Sequence, residues 1–520
     1  MQFIQGKNRT QSILFPKSLD QIIEQDNEVR IIDLFVESIN LTNFHFEIKT
    51  SKEGRPAYHP KDLLKLFVYG YLNHIRSSRQ LEKECKRNIE LLWLMKELAP
   101  DHNTIANFRR DNEKAIRKVF RYTVSIAKEF NLIGGKLVAG DSTKLRAQNS
   151  KKNNFNEGKI ERHLAYIDAK LDEYNKALAQ ADADNKQIIE EEIKKQTERK
   201  KDYENKREQL EQTGEAQIST SDPASRQLMT RNNISEVAYN IQTVVDAKHN
   251  IPIDYKVTNE NDSRALSGML RRTKTILGTK DFTALYDKGY HTGLEIKKAV
   301  ALDINIMVAI PGTSSNAPDE NYNMDRFTYD EQDDTYTCPQ QQTLTTNGNW
   351  YQKSKDRNHY VVKHYKTNAC IGCRVRELCT KNLKGRVIER SEYASYIEIN
   401  KQNIEANPEI YKKRQSIAEH PYGTIKRQWG FYYIITKKGI KHASADAGFM
   451  FVAYNLRRLM NIIDTRIFTK FLRELAFSFF KKLVLPKRFI FKITYSFFRK
   501  MFCPDIFIRY SKTPSDLIYI

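Results

Sequence analysis

The segment KLVAGDSTKLRAQNS, residues 136–150, passes from an apolar run into one aspartate, Asp141, and then into a basic, polar slope. Two later segments share its apolar character, FTALYDKGY at 282–290 and INIMVAIPG at 304–312, and both read as buried strands with a helix around 293–301 between them. EVAYNIQTVVDA and NIPIDYKVTN, joined by the turn AKHN, add a hairpin. Strands and helices in this order predict an α/β core. Two of its strands end in carboxylates, Asp141 and Asp287. If those strands are neighbours, both acids project from one end of the sheet, where ligands of α/β sheets bind. A third acid from a following helix would complete an oxygen cage for two Mg²⁺ ions, the arrangement suited to phosphoryl transfer. Asp141 would then hold metal while Lys144 and Arg146 meet phosphates. Pattern alone also permits a plainer reading, because strands often end in Asp for reasons of turn geometry.

Composition points to the same partner. The 520 residues imply several folding units. Lys and Arg number 86 against 64 Asp and Glu, a formal charge of +22, which calls for a polyanion such as nucleic acid. The N-terminal residues lack a basic stretch followed by an apolar run, and the most apolar tail window, 471–485, is broken by charges. A cytoplasmic protein that does not span a membrane is expected.

Around this core the composition shifts several times. Residues 1–130 are expected to form a helical DNA-binding domain: Leu63, Leu64, Phe67, Val68 and Leu72 recur at helical spacing. In ELAPDHNTIANFRRDN, Ile105 and Phe108 share a face with Arg109 and Arg110 beside it, as in a helix-turn-helix DNA reader or in a small helical domain with solvated basic residues. The core, 131–465, is interrupted twice. At 155–215, Ile160, Leu164, Ile167, Leu171, Tyr174 and Leu178 step by 4, 3, 4, 3, 4, predicting an antiparallel helical hairpin. At 312–400 lies a turn-rich, cysteine-rich insertion, expected to lack a core of its own. The tail, 466–520, is aromatic and basic and makes a poor case for an ordered domain.

From about residue 16 to 461 the order of parts resembles the DDE transposases of bacterial insertion sequences, most closely the insertion-sequence 1182 group, related to the insertion-sequence 4/5 superfamily. APDHNTIANFRR resembles that family's PDHxTI-like segment, Asp141 in AGDST its first acid, and Asp287, Gly289 and Tyr290 its D-x-G-Y element. Tyr411, Arg414, Glu419 and Lys426 resemble its Y-x2-R, E-x6-K signature, with four residues between Arg414 and Glu419 where some relatives have three. SDPASRQLM, with Asp222, also resembles a family segment of unassigned role. The resemblance implies an RNase H-like catalytic core of mixed sheet and flanking helices, with Asp141, Asp287 and Glu419 as catalytic ligands of Mg²⁺, replaceable by Mn²⁺. It implies cleavage at the element's terminal inverted repeats and joining to target double-stranded DNA, a homodimer in the DNA complex, and a place on the bacterial nucleoid. Arg414 and Lys426 would contact phosphate, and Tyr411 would position DNA without acting as a nucleophile. On a helix Glu419, Tyr422 and Lys426 share one face, with a kink expected at His420 and Pro421.

Tyr290 and Trp429 suit either base stacking or core packing, and His291 and His420 either DNA contact or structure. Asp246 and Asp254 read as turn formers and surface charges. Cys370-x2-Cys373-x5-Cys379, with Cys338, has the number and type of ligands for a structural Zn²⁺, the alternative being reduced thiols; Cys85 and Cys503 read as buried thiols. Two other classes compete: a DNA-binding repressor without catalysis, and a membrane-associated coiled-coil scaffold.

Overall fold

The computed structural model describes residues 17–46, 56–230, 234–312, 317–355 and 358–484. The chain divides into two compact units. Met1–Tyr69, Arg79–His102 and Met460–Ile520 form one; Gly70–Ser78 and Asn103–Leu459 form the other.

The described part of the first unit is helical: α1 (Leu19–Ile22), α2 (Glu28–Glu37), α3 (Leu41–Phe44), most of α4 (Pro60–Leu72) and of α5 (Ser78–Cys85), and α6 (Ile89–Leu94). Val29, Ile32, Phe35 and Val36 bury the apolar stripe of α2. Lys65 is buried and is paired with Asp33 and Glu37 at 2.6 and 2.7 Å, which offsets the cost of placing an ammonium there. The start of the tail belongs here as well. Its residues form α17 (Thr465–Val484), which packs on α2 with Phe468, Phe471 and Leu472 buried, so this stretch is ordered, contrary to expectation. The rest of the tail, with Cys503, lies outside the described residues.

The second unit opens with α7 (His102–Asp111) and α8 (Glu113–Glu129) and is built around one sheet. β1 (Leu137–Arg146) pairs antiparallel with β5 (Ser235–Asp246) and parallel with β7 (Thr283–Tyr286); β7 pairs parallel with β8 (Asn305–Val308). The outer edge of β5 carries β4 (Arg226–Met229) and then β6 (Ile251–Thr258), both antiparallel. Across the sheet this gives the order β6-β5-β1-β7-β8. Between β1 and β4 run β2 (Asn154–Phe155), the hairpin α9 (Glu157–Gln180) and α10 (Ala183–Thr213), and β3 (Ile218–Ser219). Ile160 and Leu164 bury against Leu210 and Ile218 at the base of the hairpin. Between the later strands come α11 (Leu266–Leu277) and α12 (Gly293–Val300).

After β8 the insertion folds as a second antiparallel sheet: β9 (Thr328–Asp330), β10 (Thr335–Thr337), β11 (Thr343–Thr346), β12 (Tyr351–Lys355), β13 (Asn358–Lys366) and, beyond the short α13 (Arg376–Cys379), β14 (Ile388–Ser391). Phe327, Tyr336, Leu344, Tyr365 and Ile388 make its core. The expectation of a coreless insertion is therefore corrected: alternating tyrosines and aliphatics, scattered among turns, meet only once the strands pair.

The chain returns through α14 (Ala394–Ala406) and α15 (Pro408–Tyr422), then α16 (Ile440–Ile462). α15 covers one face of the main sheet, where Ile417 and Ala418 seat on the layer Ala139, Val245, Leu285 and Met307. Where a kink is expected at His420 and Pro421, the helical winding continues to Tyr422 and then widens into a π-helical turn, Gly423–Gln428, directly after the proline that weakens the hydrogen-bond ladder.

Candidate active site

Parallel pairing of β1 and β7 ends at Ala139–Leu285. Asp141 and Asp287 each stand two residues beyond that pair, so strand register brings the two acids to corresponding positions on adjacent strands. Gly140 is required for this. The Tyr286 ring lies over it, and a Cβ there would meet Tyr286 Cε1 at 2.0 Å. Asp287 opens a short 3₁₀ turn, accepting the Gly289 N–H at 2.9 Å.

Asp141 is half-buried and accepts the Ser142 N–H at 2.7 Å. Burial pushes its carboxyl up to about 6; the charges of Asp287 and Asp262 act in the same direction, and Arg414 opposes them. The Arg414 guanidinium lies 3.9 Å from the Asp141 carboxylate. α15 thus lies along β1 with Arg414 beside the Asp141 side chain and the buried Tyr422 hydroxyl beside its backbone, 3.3 Å from the Asp141 carbonyl oxygen and 2.7 Å from Thr243 Oγ1. Glu419 falls between these two contacts on the helix, half-buried, and accepts from Gln415 at 3.2 Å. Lys426, on the π-helical turn, donates to Thr143 Oγ1 at 3.0 Å, on the same face of β1 as Asp141. Tyr411 donates its hydroxyl to the Tyr286 carbonyl at 3.0 Å, next to Asp287. Among the described residues, no three His, Cys, Asp or Glu side chains stand close enough together to hold one metal ion.

A fourth acid was missed by sequence reasoning. Asp262 follows β6 on a 3₁₀ turn and accepts from Lys144 at 3.0 Å, Asn240 at 2.7 Å and Gln242 at 2.6 Å. Burial acts to raise its carboxyl, but the Lys144 charge and the hydrogen bonds outweigh burial and hold it below the ordinary range. Nothing local marks NENDSRAL; only the register Lys144–Asn240 and Ser142–Gln242 puts its partners together.

Other expected site residues lie elsewhere. Arg109 is buried, donating to the Tyr71 hydroxyl and the Arg76 carbonyl at 3.0 and 2.9 Å, so its guanidinium serves the interior and not DNA. Its neighbour Arg110 is largely exposed and paired with Asp111. Tyr290 is fully buried with its hydroxyl on Gln242, which removes it from base stacking. Lys144 points to the opposite face of β1 from Asp141, into its pair with Asp262. Arg146 is exposed and paired with Glu236. Trp429 packs against Phe431 and His74, and His420 meets the Tyr454 hydroxyl at 2.7 Å. Asp246 and Asp254 are buried and not surface charges: Asp246 accepts the Gly134 and Gly135 N–H groups and, as a turn former, the Lys248 N–H at 3.0 Å, and Asp254 is paired with Arg121 and Arg272.

In the insertion, Cys338, Cys370, Cys373 and Cys379 are all free thiols lining one cavity at an end of the second sheet. The Gln342 N–H donates to Cys338 Sγ at 3.4 Å. Burial pushes the Cys379 thiol up.

Residues 17–111 match the transposase domain DUF772, and residues 337–460 match a transposase DDE domain. The second match spans the cysteine cavity, Arg414, Glu419 and Lys426, while Asp141 and Asp287 precede it. No curated protein matches the chain. Among solved structures, a piggyBac transposase synaptic complex with hairpin DNA aligns over 94% of this chain and 86% of that one, at 11% identity and a TM-score of 0.25, too low to bear on fold or function. Among the described residues no helix is long and apolar enough to cross a membrane. The chain carries two transposase domain matches, and together they support a DDE-type transposase.

Proposed function

We propose that the protein is a DNA transposase of the insertion-sequence 1182 group that cuts element ends and joins them to target DNA. One observation carries this reading: Asp141 and Asp287 stand at corresponding positions on adjacent parallel strands, with the helix bearing Arg414 and Glu419 laid across the first. The strand order, three antiparallel strands followed by two parallel to β1, supports an RNase H-like core.

Asp141, Asp287 and Glu419 would hold Mg²⁺ or Mn²⁺. The donor set fits this: Asp141 and Asp287 stand at corresponding positions on adjacent strands, and the half-buried Asp141 carboxyl is pushed up by burial and by the charges of Asp287 and Asp262, which a bound cation would offset. A bound divalent cation would supply charge for the attacking and leaving oxygens of phosphoryl transfer. Glu419 has to swing toward the two aspartates for all three to share an ion. Arg414, Lys426, Arg146 and Arg110 carry the phosphate contacts in this reading, and Tyr411, anchored on the Tyr286 carbonyl, positions the strand. In the first step the oxygen of water bonds to phosphorus as the P–O3′ bond breaks, freeing a 3′-hydroxyl. In the second that hydroxyl bonds to a target phosphorus as the target's P–O3′ bond breaks. No bond to the protein forms, so Tyr411 stays unmodified.

Joining two ends in concert calls for two such sites, hence a homodimer on DNA, acting at the nucleoid in the bacterial cytoplasm. The cysteine cavity would take one structural Zn²⁺; the four thiols that line it have the right chemistry, although they must draw together to bind it. A second reading, a DNA-binding protein or repressor without catalysis, draws on the acids not being gathered around one point.

The deciding experiment is cleavage and joining of labelled duplex carrying the element's end, in Mg²⁺ or Mn²⁺. Asp141→Asn, Asp287→Asn and Glu419→Gln should each abolish both reactions while DNA binding survives. Wild-type protein that binds the duplex but never cuts it with either metal would overturn the catalytic reading in favour of the repressor.

A further inference from the structure

Behind the two aspartates, on the sheet face opposite α15, lies a polar cluster that the proposed reaction does not use. Ser142 and Lys144 of β1 pair across the strands with Gln242 and Asn240 of β5, and all four side chains point to this face. Asn240 and Gln242 are essentially fully buried. Their amides converge on one oxygen of Asp262, and the Lys144 ammonium takes the other while also donating to Ser142 Oγ at 2.9 Å. The Tyr290 hydroxyl closes the cluster through Gln242. Asp262 also backs the turn that carries Asp287. A Cβ built on Gly289 would lie 3.1 Å from Asp287 Oδ1 and 3.5 Å from Asp262 Oδ2, so both carboxylates border the space that glycine leaves open.

A carboxylate so placed has two physical consequences. Its acceptor positions are taken by the protein, which argues against direct ligation of a metal. Its charge is balanced by Lys144, which would otherwise place an uncompensated ammonium behind the acids.

We propose that Asp262 is a positioning residue of the catalytic centre: its ion pair with Lys144 neutralises that lysine, so that the cation site keeps the full negative charge of its own acids. The inference rests on the reading of Asp141 and Asp287 as divalent-cation ligands. It removes Lys144 from the DNA-contacting set and gives it an electrostatic role inside the enzyme.

The test is Mn²⁺ binding to the full-length protein, followed by electron paramagnetic resonance of the free ion, with thermal unfolding recorded alongside. Asp262→Asn leaves Lys144 unbalanced and should weaken Mn²⁺ binding about tenfold; adding Lys144→Met should return it to within about threefold of wild type, the non-additivity expected of a coupled pair. Asp262→Asn that binds Mn²⁺ as wild type does would overturn the proposal, as would a double variant as weak as the single one, which would make Asp262 itself a ligand. A merely structural Asp262 would lower the unfolding temperature and leave Mn²⁺ binding alone. Should Asp262→Asn fail to fold, Lys144→Met alone is informative: it should tighten Mn²⁺ binding a few-fold, and no change would count against the pair. Wild type without saturable Mn²⁺ binding that Asp141→Asn removes would instead sink the catalytic reading, and this inference with it.

Discussion

Replacing Asp141 by Asn should stabilise the metal-free protein while destroying its proposed chemistry. The Asp141 carboxyl is raised from 3.8 to about 6 because the group is removed from water and feels the charges of Asp287 and Asp262, with Arg414 at 3.9 Å only partly compensating. Raised that far, the carboxyl corresponds to roughly 3 kcal/mol by which the folded state disfavours this charge at neutral pH. The sign follows from proton binding. Between about 4 and 6 the folded protein holds a proton on Asp141 that the unfolded chain has lost, so this group's contribution to stability falls as pH rises through that window and stays low above it. Asparagine keeps the shape without the charge. Urea denaturation at pH 7.5 in excess chelator should therefore show Asp141→Asn more stable than wild type by about 2–3 kcal/mol, with the difference closing by about pH 4. Adding Mn²⁺ should reverse the order, because only wild type gains from binding. A variant less stable than wild type at pH 7.5 without metal, by a margin that acidification does not change, would refute the electrostatic account of the site.

Gly140→Ala sets a methyl group against the Tyr286 ring; it should cost at least about 3 kcal/mol in urea denaturation or prevent folding, and a neutral result would mean the ring does not lie over β1. Arg109→Met should destabilise the protein by about 3 kcal/mol by breaking bonds to Tyr71 and Arg76, yet leave the salt dependence of DNA binding unchanged. Lys426→Met should do the converse, lowering the slope of log affinity against log salt by about one, with little loss of stability. Elemental analysis should find about one zinc per chain. Because the second sheet has its own core of Phe327, Tyr336 and Tyr365, stripping the metal should raise hydrogen exchange around Cys370, Cys373 and Cys379 without unfolding the strands. Folded protein that never carries zinc would end that idea.

Much of the main sheet could be read directly, because a buried strand announces itself in a few consecutive residues: LVAGD, FTALYD and the EVAYNIQTVVDA hairpin all form the strands expected of them. The stepped apolar positions of the helical hairpin were legible for the same reason, since Ile160 and Leu164 lie one helical turn apart. Periodicity is a local property, but pairing is not. Which strand lies beside β1, and in which register, decided that Asp141 and Asp287 are neighbours, that Lys144 meets Asp262, and that Asn240 and Gln242 converge on that acid. Burial was equally hidden. Arg109, Asp246 and Asp254 carry charges that sequence reasoning placed on the surface, and each is buried against partners from elsewhere in the chain. The insertion's core of scattered tyrosines shows the same limit. The sequence by itself determined the chemistry available, an acid-ended pair of strands, a basic surface and a cysteine set, because residue types and local spacing are written in it. Only the tertiary structure decided which of those groups face each other, because a charge acts through the few ångströms that separate it from its neighbours in space.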